Sequence, residues 1–267
     1  MELLVCIKQV PDTSEIKLDP ETNTLIRTGL PSIVNPFDMN ALEAALKVKD
    51  ANPGARVTVI TMGPPQADVA LRECISMGAD EAYLITDRAF AGADTLATSY
   101  TIARAIEKVQ ELQGKAFDII FCGKQAIDGD TAQVGPQIAE EMGIPQVTYV
   151  CQLDILADGV VRTHREHEEG FEVLDTDMPV LVTAVKALNE PRYPTLLNSI
   201  RAFDYEVKKI TVKDMETDPA RLGLKGSPTR VRKVYSPPMR SAGTMLTNGT
   251  AESVDTIVDV LTKRELL

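Results

Sequence analysis

Tryptophan is missing from these 267 residues, and aromatic side chains make up only 4% of them. Single-stranded nucleic acids are held largely by stacking on such rings, so a stacking platform of that kind is not expected. Positive charge is short as well: 28 Lys and Arg face 39 Asp and Glu, for a net charge of −11. Nucleic acids and anionic membrane surfaces both attract basic patches, so neither is an expected partner. The four cysteines, Cys6, Cys74, Cys122 and Cys151, contain no C-x-x-C pair. They read as buried thiols of a reducing, cytoplasmic compartment, with no metal site expected. No apolar run approaches a membrane span. The strand-like Leu3-Leu4-Val5-Cys6-Ile7 follows Met1 so closely that no signal or transit peptide is expected. Two glycine motifs are also absent. No G-x-G-x-x-G follows the first strand, and Gly123-Lys124-Gln125-Ala126 is no P-loop.

What remains is a chain of ordinary globular composition, 44% apolar and 25% charged. The segment around which it is organised runs from Asp118 to Gly135. Ile119-Ile120-Phe121 is a short apolar run, as in a strand covered on both faces. Gly123 ends it, a polar loop follows from Lys124 to Asp130, and Asp130 with Gln133 is spaced as a capping box. Strand, glycine-containing loop and helix start together offer unpaired N–H groups and the positive end of a helix dipole, which suit a phosphate. An ordinary βα connection would share these features. Pro136 is awkward in such a helix and calls for a kink or a late helix start.

Strand and helix alternate through the first half. Strands are expected at Leu3–Ile7, Val57–Met62 and Ala82–Ile85, with a polar excursion over residues 12–33. Helices begin at Asn35-Pro36-Phe37-Asp38, after Gly63-Pro64-Pro65, and at Asp94-Thr95. This order implies an α/β fold, a doubly wound and mostly parallel sheet of Rossmann-like, adenine-nucleotide-binding type. Ligands in such folds lie beyond the carboxyl ends of the strands. The chain leaves that edge at Cys6–Gln9, Met62–Pro65, the loop before Asp94 and Cys122–Asp130, which should converge on one crevice.

After Pro145 the pattern becomes an antiparallel meander, Val147–Ile155, Val160–Thr163 and Phe171–Leu174, with a turn at His164–Gly170. His164-Arg165-Glu166-His167 reads as a solvated loop and not a metal site. Val180–Val185 is a further buried strand, Leu188–Pro194 a proline-punctuated loop, and Thr195–Ala202 a short helix. Two regions are expected: a nucleotide-binding domain over 1–203 and a C-terminal arm over 204–267. The arm has a strand near Val207–Val212, turn-rich chain at Gly223–Ser227, a basic stretch at Arg230–Lys233, and extended chain around Pro237-Pro238. It ends in an amphipathic helix, Ala251–Leu261, whose single apolar face needs something to dock on.

Four stretches, Ile7–Asp12, Asn35–Asp38, Gly123–Asp128 and Leu188–Tyr193, occur in the order found in the small (beta) subunit of electron-transfer flavoproteins. The chain resembles that family from its first strand to Tyr193 and more weakly in the tail. The resemblance implies a heterodimer with a larger alpha subunit that carries the electron-transferring FAD. Ordinary beta subunits hold a structural AMP. A subset from anaerobes holds a second FAD that takes electrons from NADH and splits them between low- and high-potential acceptors. Asp128-Gly129-Asp130-Thr131-Ala132-Gln133-Val134-Gly135-Pro136, Met62–Ala67 and Phe90–Thr95 resemble that bifurcating branch. Its implied acceptors are ferredoxin or flavodoxin and an acyl-CoA dehydrogenase.

The roles implied are as follows. Cys6, Asn35, Asp38 and Met62 line the adenosine pocket, with Gly63 and the following prolines beside the nicotinamide nucleotide. Cys122, Gly123, Lys124, Gln125, Ala126, Ile127, Asp128 and Gly129 form the nucleotide loop. Asp130, Thr131, Ala132, Gln133 and Val134 hold phosphates, and Asp94 and Thr95 face the diphosphate or ribityl chain. The small Gly92, Ala93 and Gly129 leave room for a flavin where AMP needs none, although tight packing alone would also explain them. Residues from about 183 to 203 form a recognition loop. In it Glu190, Arg192, Tyr193 and the apolar Leu196 meet the dehydrogenase. No catalytic acid or base is assigned. An adenine-nucleotide-sensing module would share the fold but leave the Asn-Glu-Pro-Arg-Tyr loop and the tail unexplained. An adenylating ligase would need a Ser-Gly-Gly-type loop that Lys8–Thr13 does not provide.

Overall fold

The computed structural model describes residues 1–12, 31–230, 232, 243–247 and 249–267. The expectations for residues 13–30 and 237–242 fall outside these. The chain divides into two compact units, Met1–Arg230 and Val231–Leu267. In the first, nine strands make one sheet. They are β1 (Glu2–Cys6), β4 (Arg56–Met62), β5 (Glu81–Ile85), β6 (Ile119–Gly123), β7 (Gln146–Ile155), β8 (Val160–His167), β9 (Gly170–Asp177), β10 (Val180–Ala184) and β11 (Lys208–Ile210). Two short strands, β2 (Gln9–Pro11) and β3 (Ser32–Val34), pair separately and antiparallel.

The sheet order is β11-β5-β4-β1-β6-β10-β7-β8-β9. Every pairing from β11 to β7 is parallel, and β7-β8-β9 is antiparallel. Successive residues of a strand face opposite ways, and the central strands β1, β4, β6 and β10 are buried at nearly every position. Leu3 and Val5 therefore enter one core, while Leu4 and Cys6 enter the other. The first core packs helices α1 (Pro36–Ala51) and α2 (Asp68–Met77), with Leu42, Leu46, Leu71 and Ile75 fully buried. The second packs α3 (Thr95–Gln113) and α4 (Val134–Met142) through Ile102, Ile106 and Ile138. The doubly wound, mostly parallel α/β fold is as expected.

Three local expectations are corrected. The capping box at Asp130 and Gln133 does not form, because α4 begins only at Val134. Pro136 thereby falls in the first turn, where its missing N–H would have had no partner. The turn expected at His164–Gly170 is mostly strand: β8 continues to His167, with Arg165 opposite Glu172 and their side chains 3.3 Å apart. Cross-strand charge pairs let a polar segment stay extended on a solvent-facing sheet. Finally, the first unit reaches Arg230 and does not stop near residue 203. β11 adds to the sheet beside β5, and Asp94 binds Ser227 and Thr229. The second unit contains helix α6 (Thr250–Lys263), which buries none of its residues and leaves Val254, Ile257 and Val258 about half exposed. No described helix is long and apolar enough to cross a membrane.

Candidate functional site

The four strand-end segments do converge. The ends of β1, β4, β5 and β6 and the starts of α3 and α4 enclose a cavity of about 1000 Å³. Its floor includes Cys6 and Cys122, which sit side by side in the register of β1 and β6. Of the expected nucleotide-binding residues, all but Asn35, Ile127 and Asp128 line it. Those three act one layer back. Asn35 is fully buried, donates to Gln125 O at 2.8 Å and accepts from Ile127 N at 3.1 Å. Although it occupies the N-cap position of α1, its side chain caps nothing there. Asp128 takes the Lys8 ammonium at 2.7 Å.

Asp38 does a similar job from inside the cavity wall. It accepts from Lys8 N at 2.7 Å and Gly123 N at 3.1 Å, tying the ends of β1 and β6 to α1. Burial pushes its carboxyl up to about 7, although Asn35 and those two N–H groups pull the other way. Gly123 is forced by this contact. A Cβ there would overlap Asp38 Oδ1 and lie 2.7 Å from the Phe37 carbonyl carbon.

The wall formed by residues 130–135 has an unusual backbone. Asp130 and Ala132 both take φ of 52° without being glycine. Alternating backbone hands turn successive N–H groups toward one point, and strain of this kind collects at functional sites. The amides of Thr131, Ala132 and Gln133 reach no main-chain oxygen among the described residues. The first-turn amides of α4 add to them. Gln125 holds the Asp130 carboxylate at 2.7 Å, and Thr95 donates to Gln133 at 3.0 Å, joining the starts of α3 and α4. Nothing lies within 4 Å of a Cβ built on Gly129, so the cavity is open there.

Asp94 lines the cavity, but its carboxylate is committed. It caps α3 through Leu96 N and Ala97 N and accepts from Thr229 N and Oγ1. Burial raises its pKa, and these hydrogen bonds outweigh that and leave it below the usual carboxylate value. Several lining residues were not singled out from the sequence: Lys8, Ile85, Thr86, Asp87, Arg88 and Thr98 among them. The rule that ligands meet strand ends points to 85–88, because β5 ends there. Nothing in the sequence marks Ala132 as left-handed.

The second expected site is the loop after β10. Arg192 is not free: its guanidinium clasps buried Glu43 at 2.8 Å and Asp50 at 2.7 Å, and its N–H reaches Glu43 at 3.1 Å. Those pairings raise its pKa further. Asn40 and Asn189 exchange two more hydrogen bonds, at 2.8 and 2.9 Å. Glu190 is exposed, and Tyr193 and Leu196 are 91% and 77% exposed. The helix that follows, α5 (Leu196–Asp204), also bares Leu197, Ile200 and Phe203. No group of three or more His, Cys, Asp or Glu among the described residues is placed to hold a metal ion.

A doubly wound, mostly parallel sheet with a cavity at its strand ends defines a Rossmann-like α/β class. Within that class residues 22–215 match the family described as "Electron transfer flavoprotein domain". The chain belongs to this family, among its beta subunits. It is 54% identical over 247 residues to the electron transfer flavoprotein subunit beta of Megasphaera elsdenii, covering 92% of this chain and 91% of that one. The beta subunit of Thermoanaerobacterium thermosaccharolyticum is 53% identical over the whole of both chains. A subunit of Acetobacterium woodii, CarD of the "Caffeyl-CoA reductase-Etf complex", is 51% identical over 95% of each.

Proposed function

We propose that this chain is the beta subunit of an electron-bifurcating electron transfer flavoprotein, holding FAD in the strand-end cavity and receiving electrons from NADH. The observation that carries the reading is the size and shape of that cavity. About 1000 Å³ is at the upper end of ligand pockets. A mononucleotide anchored at residues 130–135 would fill only part of it, and Gly129 leaves its surroundings open. The residues present fit FAD. The 130–135 amides and Thr131 take the phosphates, the floor at Cys6 and Cys122 takes apolar ring surface, and Asn35 and Asp38 hold the loop in register. The chemistry FAD supplies when bound is acceptance of an electron pair and its release to acceptors of different potential. The chain's part is to bind, orient and exclude water.

The acceptors proposed are ferredoxin or flavodoxin and an acyl-CoA dehydrogenase. The exposed apolar side chains Tyr193, Leu196, Leu197 and Phe203 are offered to the dehydrogenase, since clusters of large exposed apolar residues mark protein contacts. The A. woodii relative's name ties that protein to a CoA-ester reductase complex and supports this class of partner. The arm carrying α6 is proposed to dock on the alpha subunit, because a 14-residue helix with an uncovered apolar stripe is marginal by itself.

The deciding measurement is the nucleotide content of the purified heterodimer after perchloric acid extraction, together with its spectral response to NADH. Two FAD per heterodimer with one bleached by NADH is expected. One FAD with one AMP, and no response to NADH, would identify an ordinary single-flavin carrier.

A further inference from the structure

Three cations line the strand-end cavity: Lys8, Arg88 and Lys124. Lys8 is neutralised by Asp128 at 2.7 Å, and the Lys124 ammonium lies 4.7 Å from the Tyr149 ring centre. Arg88 alone has no hydrogen bond, ion pair or ring contact from its side chain among the described residues. Its nearest carboxylate in sequence is already used, since Asp87 accepts from Ala89 N at 2.9 Å and from Val212 N at 3.3 Å. Arg88 is exposed where it lines the cavity, so its guanidinium is open to a ligand there.

Arg88 is also on a different wall from the phosphate-shaped turn. It follows β5, whereas residues 130–135 follow β6, and β4 and β1 lie between these two strands. Three strand spacings separate the two strand ends by roughly 14 Å. The phosphates of one diphosphate are far closer together than that. The turn at 130–135 is sufficient for one diphosphate, so Arg88 is left for a second anion. A guanidinium grips phosphate through two parallel N–H bonds, which a solvated lysine does not reproduce.

We infer that Arg88 is the anion-recognising residue for the exchangeable nucleotide of this cavity, taking a phosphate of the nicotinamide dinucleotide while the resident nucleotide is held at 130–135. This rests on the reading of NADH as donor. The experiment is equilibrium dialysis of NAD⁺ against the FAD-loaded heterodimer, for wild type, Arg88→Ala and Arg88→Lys, with FAD per heterodimer counted in each. Loss of one charge-assisted phosphate contact should weaken NAD⁺ binding by about tenfold or more in Arg88→Ala, and less in Arg88→Lys. FAD content should stay unchanged in both variants. Unchanged NAD⁺ affinity in Arg88→Ala would overturn the assignment, as would loss of FAD, which would place Arg88 on the resident nucleotide. A wild type that neither binds NAD⁺ nor responds to NADH would take down the donor reading itself, and this inference with it.

Discussion

Helix α1 grips two loops, and they turn opposite faces outward. At its first turn Asn35 and Asp38 hold the loop after β6, leaving backbone amides and short side chains to face a cavity. Further along, Asn40 and Glu43 hold the loop after β10, which leads into apolar side chains that face solvent at Tyr193 and along α5. Both clamps are buried polar contacts that fix a loop against a rigid element. The difference is in what is left unsatisfied. Free N–H groups in a concave wall suit a phosphate, and exposed Leu, Tyr and Phe suit another protein's surface. One helix thus sets the spacing between the nucleotide and the proposed docking face.

The comparison is tested most severely at Gly123. Gly123→Ala drives a methyl group into Asp38 and the Phe37 backbone, neither of which is a free side-chain end. A loss of about 3 kcal/mol is expected, with the bound nucleotide lost first. Chemical denaturation and nucleotide extraction would both report it, and an Ala variant with full nucleotide content would show the clamp to be slack.

Arg192→Ala attacks the other clamp. It leaves the carboxylate of Glu43 buried without its main partner. Because Arg192 itself is partly solvated, the expected cost is about 2–3 kcal/mol, below that of a fully buried pair. Nucleotide content should not change, and hydrogen exchange should quicken over 188–195 only. Loss of nucleotide in this variant would mean that the two clamps are not independent.

Asp38 gives the first clamp a pH dependence. Its folded pKa, about 7, lies above the ordinary aspartate value of 3.8, so the folded state binds the proton more tightly. The associated stability is full below pH 3.8 and is lost as pH rises through 7. Between pH 6 and 8 the wild type should lose about 1.4 kcal/mol more than Asp38→Asn. Parallel pH profiles of the two proteins would show that the carboxyl does not titrate there.

The smallest effect on the fold is expected from Leu196→Ala, which removes a side chain already 77% exposed. Stability should move by under about 0.5 kcal/mol and nucleotide content not at all. Electron delivery to the acyl-CoA dehydrogenase should fall by about tenfold at limiting acceptor, as for an interface anchor. Unchanged delivery across acceptor concentrations would remove this face from the docking surface.

Local chemistry determined much of this protein. The short, mostly apolar runs at 3–7, 57–62, 119–121 and 180–185 read as strands covered on both faces, and the rule for strand ends then places one crevice. Asp94 before Thr95 specified the start of α3, since the cap needs only neighbours in the chain. Other features depended on distant residues. The sequence offers a capping box at Asp130, but Pro136 moved the helix start, and Gln125 and Thr95 claimed the two side chains. Arg192 reads as a free surface charge until folding brings it to Glu43, 149 positions away. Arg88 is marked by nothing local, and only the fold brings it to the cavity that residues 130–135 also line. Periodicity and caps depend on near neighbours and can be read along the chain. Which polar groups end up paired is settled only when distant segments meet.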